Sequence, residues 1–203
     1  YFYGLGDLSG IQWQAFGDLD WRGAPDWLIH VGAMVEKHYN TGQLLSPRVS
    51  VNYAVKRGHS IRVSAGKGYR APTLLESAAN EVYFTPAYDA YLGLDGLYSP
   101  GGIEPEEVLF GEIGYVGRFD PLGLDVDARI YAERYASLIW NPNLRYRNIA
   151  QAARVRGGEV ALDWRHDVWG RFRLAHALIE IDGDDGIGGV SGMKDEVLDS
   201  APQ

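Results

Sequence analysis

Apolar and polar residues alternate one by one along most of this sequence. Between positions 122 and 133, Leu, Leu, Val, Ala, Ile and Ala occupy every second position, and Gly, Asp, Asp, Arg, Tyr and Glu occupy the positions between them. A period of two is that of a β-strand with two different faces, because successive side chains point to opposite sides. A helix would place Asp125 and Arg129 beside Leu122 and Val126, so that no face would be apolar. The pattern therefore predicts an all-β chain.

The same alternation predicts eight strands. They are expected near residues 8–22, 27–39, 47–56, 60–70, 106–119, 122–139, 150–165 and 169–182. Most of these are more than twice as long as the common strand of about 5–6 residues. A tilted strand needs about 9–11 residues to cross a bilayer, so strands of this length are long enough to span one.

The connections between these strands are expected to alternate in length. Short turns are predicted at 23–26, 57–59, 120–121 and 166–168, and longer connections at 40–46, 71–105 and 141–149. Short turns at one end and long loops at the other favour an antiparallel up-and-down sheet, as in transmembrane β-barrels.

Aromatic residues gather at the predicted strand ends. Trp21, Trp27, Trp164 and Trp169 flank two of the short turns. The long-loop ends carry Tyr39, Tyr69, Tyr135 and Trp140. Such rings favour a membrane–water interface, where the ring is buried and its polar atom stays hydrated. The alternative is that they close the ends of a soluble sandwich core.

Composition excludes several classes of protein. The chain carries 19 Lys and Arg against 27 Asp and Glu, a net charge of −8, so it lacks the basic excess of a general nucleic-acid binder. It has no Cys, which excludes disulfide frameworks, thiolate metal sites and cysteine nucleophiles. The sequence also lacks H-E-x-x-H, P-loop and G-x-S-x-G motifs. We expect no enzyme, catalytic residue, cofactor or metal, and interpret the acidic segment 182–186 as a solvated turn rather than a calcium loop.

Several short motifs resemble the barrel of TonB-dependent outer-membrane receptors. Residues 46–48 read S-P-R, like the start of a family strand, and residues 69–73 read Y-R-A-P-T, like the family's "(F/Y)RAPT" element before a long extracellular loop. Further segments resemble the family in the same order: I-E-P-E at 103–106, E-I-G-Y at 112–115, L-I at 138–139, N-I-A and G-G-E within 148–159, and S-A-P at 200–202. Each motif is short, and their order and spacing carry the resemblance.

The resemblance implies a fold, a location and a function. Residues 1–203 are expected to be part of a receptor β-barrel domain, with about eight strands of a barrel of the 22-stranded type. The implied location is the outer membrane of a Gram-negative cell. The implied function is active transport: a scarce nutrient, most often a ferric siderophore, binds at the extracellular loops and is imported with TonB-coupled energy. Implied partners are the TonB complex, reached through an N-terminal plug that this sequence lacks, and outer-membrane lipids including lipopolysaccharide.

Two groups of side chains are the functional candidates. Aromatic rings can stack on a ligand and guanidinium groups can bind an anionic one. The loop candidates are Arg70, Tyr83, Phe84, Tyr88, Tyr91, Tyr98, Arg145, Tyr146 and Arg147. The residues predicted to face a lumen are Arg48, Asn52, Arg62, Ser64, Asp125, Asp127, Arg129 and Glu133. The loop aromatics could instead pack the loops together, Arg145–Arg147 could meet lipopolysaccharide phosphates, and the polar series could simply hydrate the wall.

Two other classes of protein fit parts of the pattern. One is a small structural or adhesive outer-membrane barrel complete with eight strands, and the other is a soluble β-rich domain that binds or hydrolyses carbohydrate. The charged inward series speaks against the first, because side chains fill the interior of an eight-stranded barrel.

Overall fold

Long antiparallel strands dominate the computed structural model of the chain, which describes residues 10–82, 96–141, 145–149 and 152–183. In chain order the elements are β1 (Trp13–Ala24), β2 (Trp27–His38), β3 (Gly42–Lys56), β4 (His59–Arg70), α1 (Leu74–Ala78), β5 (Asn80–Val82), β6 (Gly96–Tyr98), β7 (Glu106–Phe119), β8 (Leu124–Ala136), β9 (Ile139–Trp140), β10 (Arg147–Asn148), β11 (Ala153–His166) and β12 (Gly170–Gly183). Within these ranges, no helix has the length and apolar character to cross a bilayer.

The eight long strands form one sheet in the order β1-β2-β3-β4-β7-β8-β11-β12. Every neighbouring pair is antiparallel, and each long strand lies beside the next long strand in the chain. The short strands form two separate hairpins, β5–β6 and β9–β10, in the longer connections. The prediction of an all-β, up-and-down antiparallel sheet is confirmed. The sheet is open: in the described ranges β1 and β12 are its two edges.

The register divides the side chains between two unlike faces. One row across β4, β7, β8, β11 and β12 reads Val63, Ile113, Ile130, Gly158 and Leu178. The adjacent row, on the opposite face, reads Arg62, Gly114, Arg129, Glu159 and Ala177. We call these the apolar face and the polar face.

Large side chains of the apolar face are exposed. Val63 is 47% exposed, whereas the next residue, Ser64 on the polar face, is 2% exposed. Ile130 and Leu178 are also exposed, at 61% and 67%. A soluble sheet buries its apolar side, so the exposure of these side chains indicates a wall whose apolar face meets lipid.

On β2 and on the long strands from β4 to β12, charged residues of the apolar face lie only toward the long-loop end. These residues are Lys37, Lys67, Glu107, Arg134, Arg154, Arg156, Glu180 and Asp182. On β8 the uncharged part of this face extends from Leu124 to Ala132. That is close to the roughly 9–11 residues that a tilted strand places inside a bilayer.

Aromatic side chains border the apolar face at the short-turn end. The Trp27 and Tyr53 ring centroids are 4.5 Å apart, and those of Trp164 and Phe172 are 5.7 Å apart. The Trp164 indole also donates a hydrogen bond of 2.9 Å to the carbonyl oxygen of Leu122. At the opposite end Tyr135 departs from the predicted pattern, because it lies on the polar face and donates to Glu133 at 2.6 Å.

Several boundaries differ from the prediction: β1 begins at Trp13 rather than near residue 8, and β3 and β8 differ as well. The connection between β2 and β3 is the three-residue turn Tyr39–Thr41 rather than a longer loop over 40–46, because β3 already begins at Gly42. Pro47 lies where β3 pairs with β2 alone, so its missing N–H interrupts no ladder with β4. The strand predicted over 122–139 is shorter: a 3-10 turn covers Asp120–Leu122, and β8 ends at Ala136, before Ser137 at φ 54°.

The turn between β7 and β8 depends on glycine, and this gives a test of the fold. Gly123 has φ 61°, and an added Cβ would collide with the carbonyl oxygen of Arg165. Gly42 has a similar φ of 78° but nothing within 4 Å of that position, so Gly42→Ala is a matched control. Both substitutions incur the left-handed backbone penalty of about 1–2 kcal/mol. We expect Gly123→Ala to lower the urea midpoint, measured on protein folded in detergent micelles, clearly more than Gly42→Ala. Equal shifts would show that this contact is unimportant.

Candidate functional site

The long-loop end of the sheet, which we call the rim, is held together around Arg70. This residue ends β4, and its Nε donates to the Glu106 carboxylate at 2.6 Å. Its two terminal guanidinium nitrogens donate to Glu76 at 3.0 and 3.1 Å. Arg70 was predicted to bind ligand. The structure places it between two carboxylates, so it ties α1 to the first residue of β7.

Helix α1 is short but firmly capped. Thr73 and Glu76 form a reciprocal capping box: the Thr73 N–H donates to the Glu76 carboxylate at 2.7 Å, and the Glu76 N–H donates to the Thr73 hydroxyl at 3.2 Å. Partial burial of Glu76 opposes its ionisation, but hydrogen bonds from Arg70 and Thr73 outweigh this and hold the pKa of Glu76 below its usual range. The same carboxylate therefore caps the helix and fastens it to the sheet.

Glu106 and Asn148 tie the remaining rim segments together. The second Glu106 carboxylate oxygen accepts a hydrogen bond of 2.8 Å from the backbone N–H of Ile139 in β9. The Asn148 amide donates to the carbonyl oxygens of Glu104 at 2.9 Å and Ser137 at 2.7 Å. The segments before β7, after β8 and before β11 are thus joined at one place.

The structure brings four of the predicted loop residues together from two separate connections. Tyr98 forms a parallel bridge with Arg145, and the Tyr146 N–H donates to the Tyr98 carbonyl oxygen at 2.9 Å. The Arg147 guanidinium lies 5.5 Å from the centre of the Trp140 ring. Tyr98, Arg145 and Arg147 have exposed side chains. Tyr83, Phe84, Tyr88 and Tyr91 lie outside the described residues.

Two cross-strand ion pairs lie in the middle of the polar face. Arg62 on β4 lies 3.1 Å from Glu112 on β7. Arg129 on β8 makes two hydrogen bonds of 2.9 Å to Glu159 on β11. An open groove of about 480 Å³ runs past Arg62, Asp127, Arg129 and Glu159. All eight residues predicted to face a lumen lie on this face; that the face lines a lumen stays a prediction.

Sequence reasoning missed Glu112 and Glu159 as the partners of these arginines. Both residues occupy the alternate positions that point to the polar face, and Glu159 lies directly opposite Arg129 in the register. The alternation could have placed them on this face. Their pairing required the register between strands, which the alternation alone does not give.

A second ionic cluster lies on the polar face near the short turns. Asp163 accepts hydrogen bonds from Arg171 and Arg173, the latter at 3.0 Å. Arg165 reaches across to Asp125 at 2.9 Å, and Arg118 lies 3.2 Å from the same carboxylate. These exposed pairs link β7, β8, β11 and β12, and each contributes little individually in water.

The side chains of the polar face and of the rim can bind polar or charged ligands and water. The polar face presents fixed guanidinium donors and carboxylate acceptors, and the rim presents exposed aromatic and cationic groups. In the described part of the chain, no group of three or more His, Asp or Glu side chains could hold a metal ion.

An antiparallel up-and-down wall with an apolar band, an aromatic border and a charged opposite face is typical of outer-membrane β-barrels. The sequence profile of the family described as "TonB dependent receptor-like, beta-barrel" matches residues 4–202. The chain therefore belongs to this family, whose members are outer-membrane receptors that import nutrients and are not enzymes.

Solved structures show the same fold. The chain is similar to the siderophore receptor PirA from Acinetobacter baumannii, with 15% identity and a TM-score of 0.68, over 86% of this chain and 28% of that one. It is also similar to the ferric enterobactin receptor PfeA from Pseudomonas aeruginosa, with 18% identity and a TM-score of 0.63, over 82% of this chain and 27% of that one. The copper transporter OprC is 17% identical with a TM-score of 0.61, over 83% of this chain and 28% of that one. The chain thus spans little more than a quarter of the length of these proteins. A comparison with curated protein sequences gave no match.

The position of Arg70 predicts how the rim responds to mutation. We expect Arg70→Ala to release α1, because two carboxylates lose their shared cation. Exposed ion pairs contribute about 0.2–1 kcal/mol each, so with two pairs lost, proteolytic cleavage within residues 71–82 should accelerate roughly two- to thirtyfold. Arg62→Ala removes a comparable pair from the middle of the polar face and is the control. Equal cleavage rates in the two variants would contradict an anchoring role for Arg70.

The lowered pKa of Glu76 predicts a pH dependence of the same protection. A carboxylate with a depressed pKa contributes stability above its unfolded pKa of about 4.3, and this is lost as the pH falls through the folded value. Protection of residues 71–82, followed by hydrogen exchange, should therefore be constant from about pH 7 to pH 5 and decline below about pH 4. Glu76→Gln should weaken the protection at neutral pH and flatten this decline. A decline of the same depth in Glu76→Gln would assign the effect to other carboxylates.

Proposed function

We propose that this chain is part of an outer-membrane receptor of a Gram-negative cell that captures a scarce nutrient and imports it with energy delivered through TonB. Membership of the TonB-dependent receptor-like β-barrel family is the observation that carries this proposal. Contact with TonB is expected through the family's plug domain, and the polar face of the present strands would form part of the channel wall around it.

The strands are inferred to form one arc of a wider barrel, with residues 1–203 as part of its domain. In hydrocarbon, every backbone N–H and C=O must be paired within the sheet. The outer sides of β1 and β12 find no partner strand in the described ranges, so each edge requires a further neighbour. The small barrel that would be complete with these eight strands lacks support, because β1 and β12 do not pair.

A ferric siderophore is the cargo that the rim supports best. Exposed Arg145 and Arg147 offer two cations, while Tyr98 and Trp140 offer aromatic surfaces beside them. Iron chelates are commonly anionic and often carry flat aromatic groups, which such a surface can bind by charge and by stacking. The names of two similar structures, a siderophore receptor and a ferric enterobactin receptor, support the same cargo, whereas OprC by name transports copper.

Uptake in whole cells tests the transport function. Cells that carry or lack the gene are starved of iron and given ⁵⁵Fe bound to catecholate or hydroxamate chelators, with copper and cobalamin in parallel. We expect gene-dependent uptake of an iron chelate that stops when the proton gradient is collapsed or TonB is deleted. Gene-dependent uptake that continues without TonB would contradict active transport, and uptake of copper or cobalamin instead would contradict the siderophore assignment.

The two rim arginines give a direct test of cargo binding. We expect the double substitution Arg145→Ala with Arg147→Ala to weaken binding of the transported chelate about tenfold or more, because hydrogen bonds to charged groups contribute about 1.5–3 kcal/mol each. The measurement is quenching of intrinsic Trp fluorescence during titration with the chelate. Arg57→Ala, an exposed arginine in the turn at the other end of the sheet, is the matched control. If both variants bind like the wild type, the cargo contacts lie elsewhere.

A further inference from the structure

Buried apolar side chains are concentrated at the rim rather than within the long strands. In the part of the chain that the structure describes, the buried apolar side chains are Leu44, Pro72, Ala79, Leu97, Ile103 and Ile149. All of them except Leu44 lie in the two connections that follow β4 and β8. Burial of apolar surface stabilises the segments that carry it. The described parts of these connections therefore have a folded structure of their own.

Glu76 joins the wall to the first connection through two different groups. Its carboxylate accepts the hydrogen bonds from Arg70, at the end of β4. Its backbone carbonyl oxygen accepts a hydrogen bond of 2.6 Å from the hydroxyl of Ser99, the residue that directly follows β6. Ser99 is buried, and its N–H donates to the carbonyl oxygen of Ala79 at 2.8 Å. The end of β6 is therefore fixed to α1, and α1 is fixed to the wall.

The preceding residue, Tyr98, continues this series of contacts to the second connection. Its carbonyl oxygen accepts a hydrogen bond of 2.9 Å from the N–H of Tyr146, and its backbone bridges to Arg145. A continuous series of contacts thus leads from the end of β4, through α1 and β6, to the segment that carries Arg145 and Arg147. We call this series the rim link.

We propose that Arg70 and Ser99 are positioning residues, which act through the rim link to hold Arg145 and Arg147 in place before the cargo binds. This inference rests on the proposed function, in which those two cations bind an anionic iron chelate. Arg70 and Ser99 themselves do not contact the chelate, because the guanidinium is held between two carboxylates and the hydroxyl is buried. A site that is already ordered loses less conformational entropy on binding, so loosening it lowers the affinity without removing a contact.

Substitution of Ser99 separates positioning from direct contact. Ser99→Ala removes the hydrogen bond to α1 and leaves both rim cations unchanged. Ser77→Ala is the matched control, because the Ser77 hydroxyl donates a similar hydrogen bond, of 2.8 Å, to the Thr73 carbonyl oxygen, and this bond stays within α1 and its cap. The probes are Fe³⁺ complexes of a tris-catecholate and of a tris-hydroxamate chelator. Quenching of Trp fluorescence in the detergent-solubilised full-length receptor gives the affinity by titration and the rates by stopped-flow mixing.

We expect Ser99→Ala to weaken chelate binding about two- to tenfold, the effect of one hydrogen bond, and Ser77→Ala to change it less than about twofold. The loss should lie in the association rate, with dissociation nearly unchanged, because the released connections must regain their joined arrangement before the chelate binds. Arg70→Ala combined with Ser99→Ala should weaken binding by less than the product of the two single effects, since both substitutions interrupt the same rim link.

Three results would overturn the proposal: faster dissociation with unchanged association in Ser99→Ala, an equal loss in Ser77→Ala, or fully multiplicative effects of the Arg70 and Ser99 substitutions. If circular dichroism shows that Ser99→Ala does not fold, Arg70→Lys takes its place. Lys keeps the charge but lacks the planar fork that spans both carboxylates, so association should slow, and an unchanged rate would overturn the proposal.

The same measurements distinguish this inference from the proposed function. Wild-type receptor that binds neither probe would contradict the siderophore assignment and the positioning role together. Wild-type binding that is lost in the combined Arg145→Ala and Arg147→Ala variant, but is unchanged in both affinity and rates in Ser99→Ala, would overturn the positioning role alone.

Discussion

Backbone hydrogen bonding within the sheet is the constraint on which the rest of this structure depends. A strand that crosses lipid must pair every N–H and C=O with its neighbours, because hydrocarbon supplies no alternative partner. From β4 to β12 the ladders run without interruption between successive long strands. Once the ladders are set, alternation assigns each side chain to one face, and a slip of a single residue would move Arg129 into lipid and Ile130 onto the polar face.

The two ends of the sheet use charge differently. Near the short turns, arginines and aspartates on the polar face pair with one another and link neighbouring strands. At the rim, Arg70 uses its two carboxylates to attach a connecting segment rather than another strand. Exposed Arg145 and Arg147, on the other connection, are the cations proposed above to bind the cargo. In this proposal, anchoring and cargo binding are carried by different residues of the same rim.

Much of the fold could be predicted from the sequence because a period of two is a local signal. The strand over Glu106–Phe119 matches the predicted bounds, and the others lie within a few residues of them, apart from the late start of β1 and the early start of β3. That start was missed because proline usually marks a strand end, whereas Pro47 lies in a stretch of β3 paired on one side only. The local pattern could not supply the pairing of Arg129 with Glu159, since these residues lie 30 positions apart. The meeting of Tyr98 with Arg145 likewise depends on how two connections fold over the same rim.

The placement of the apolar face against lipid and the polar face against water can be measured directly. The chain has no cysteine, so single Cys substitutions accept a spin label at one defined position. Labels at Val63 and Ile130 are compared with labels at Arg62 and Arg129 in protein reconstituted into lipid vesicles. The measurement is the relaxation of each label by oxygen, which concentrates in the bilayer, and by a water-soluble nickel chelate. We expect oxygen to dominate at Val63 and Ile130 and the nickel chelate to dominate at Arg62 and Arg129. The reverse pattern, or nickel access at all four positions, would contradict a membrane wall with this orientation.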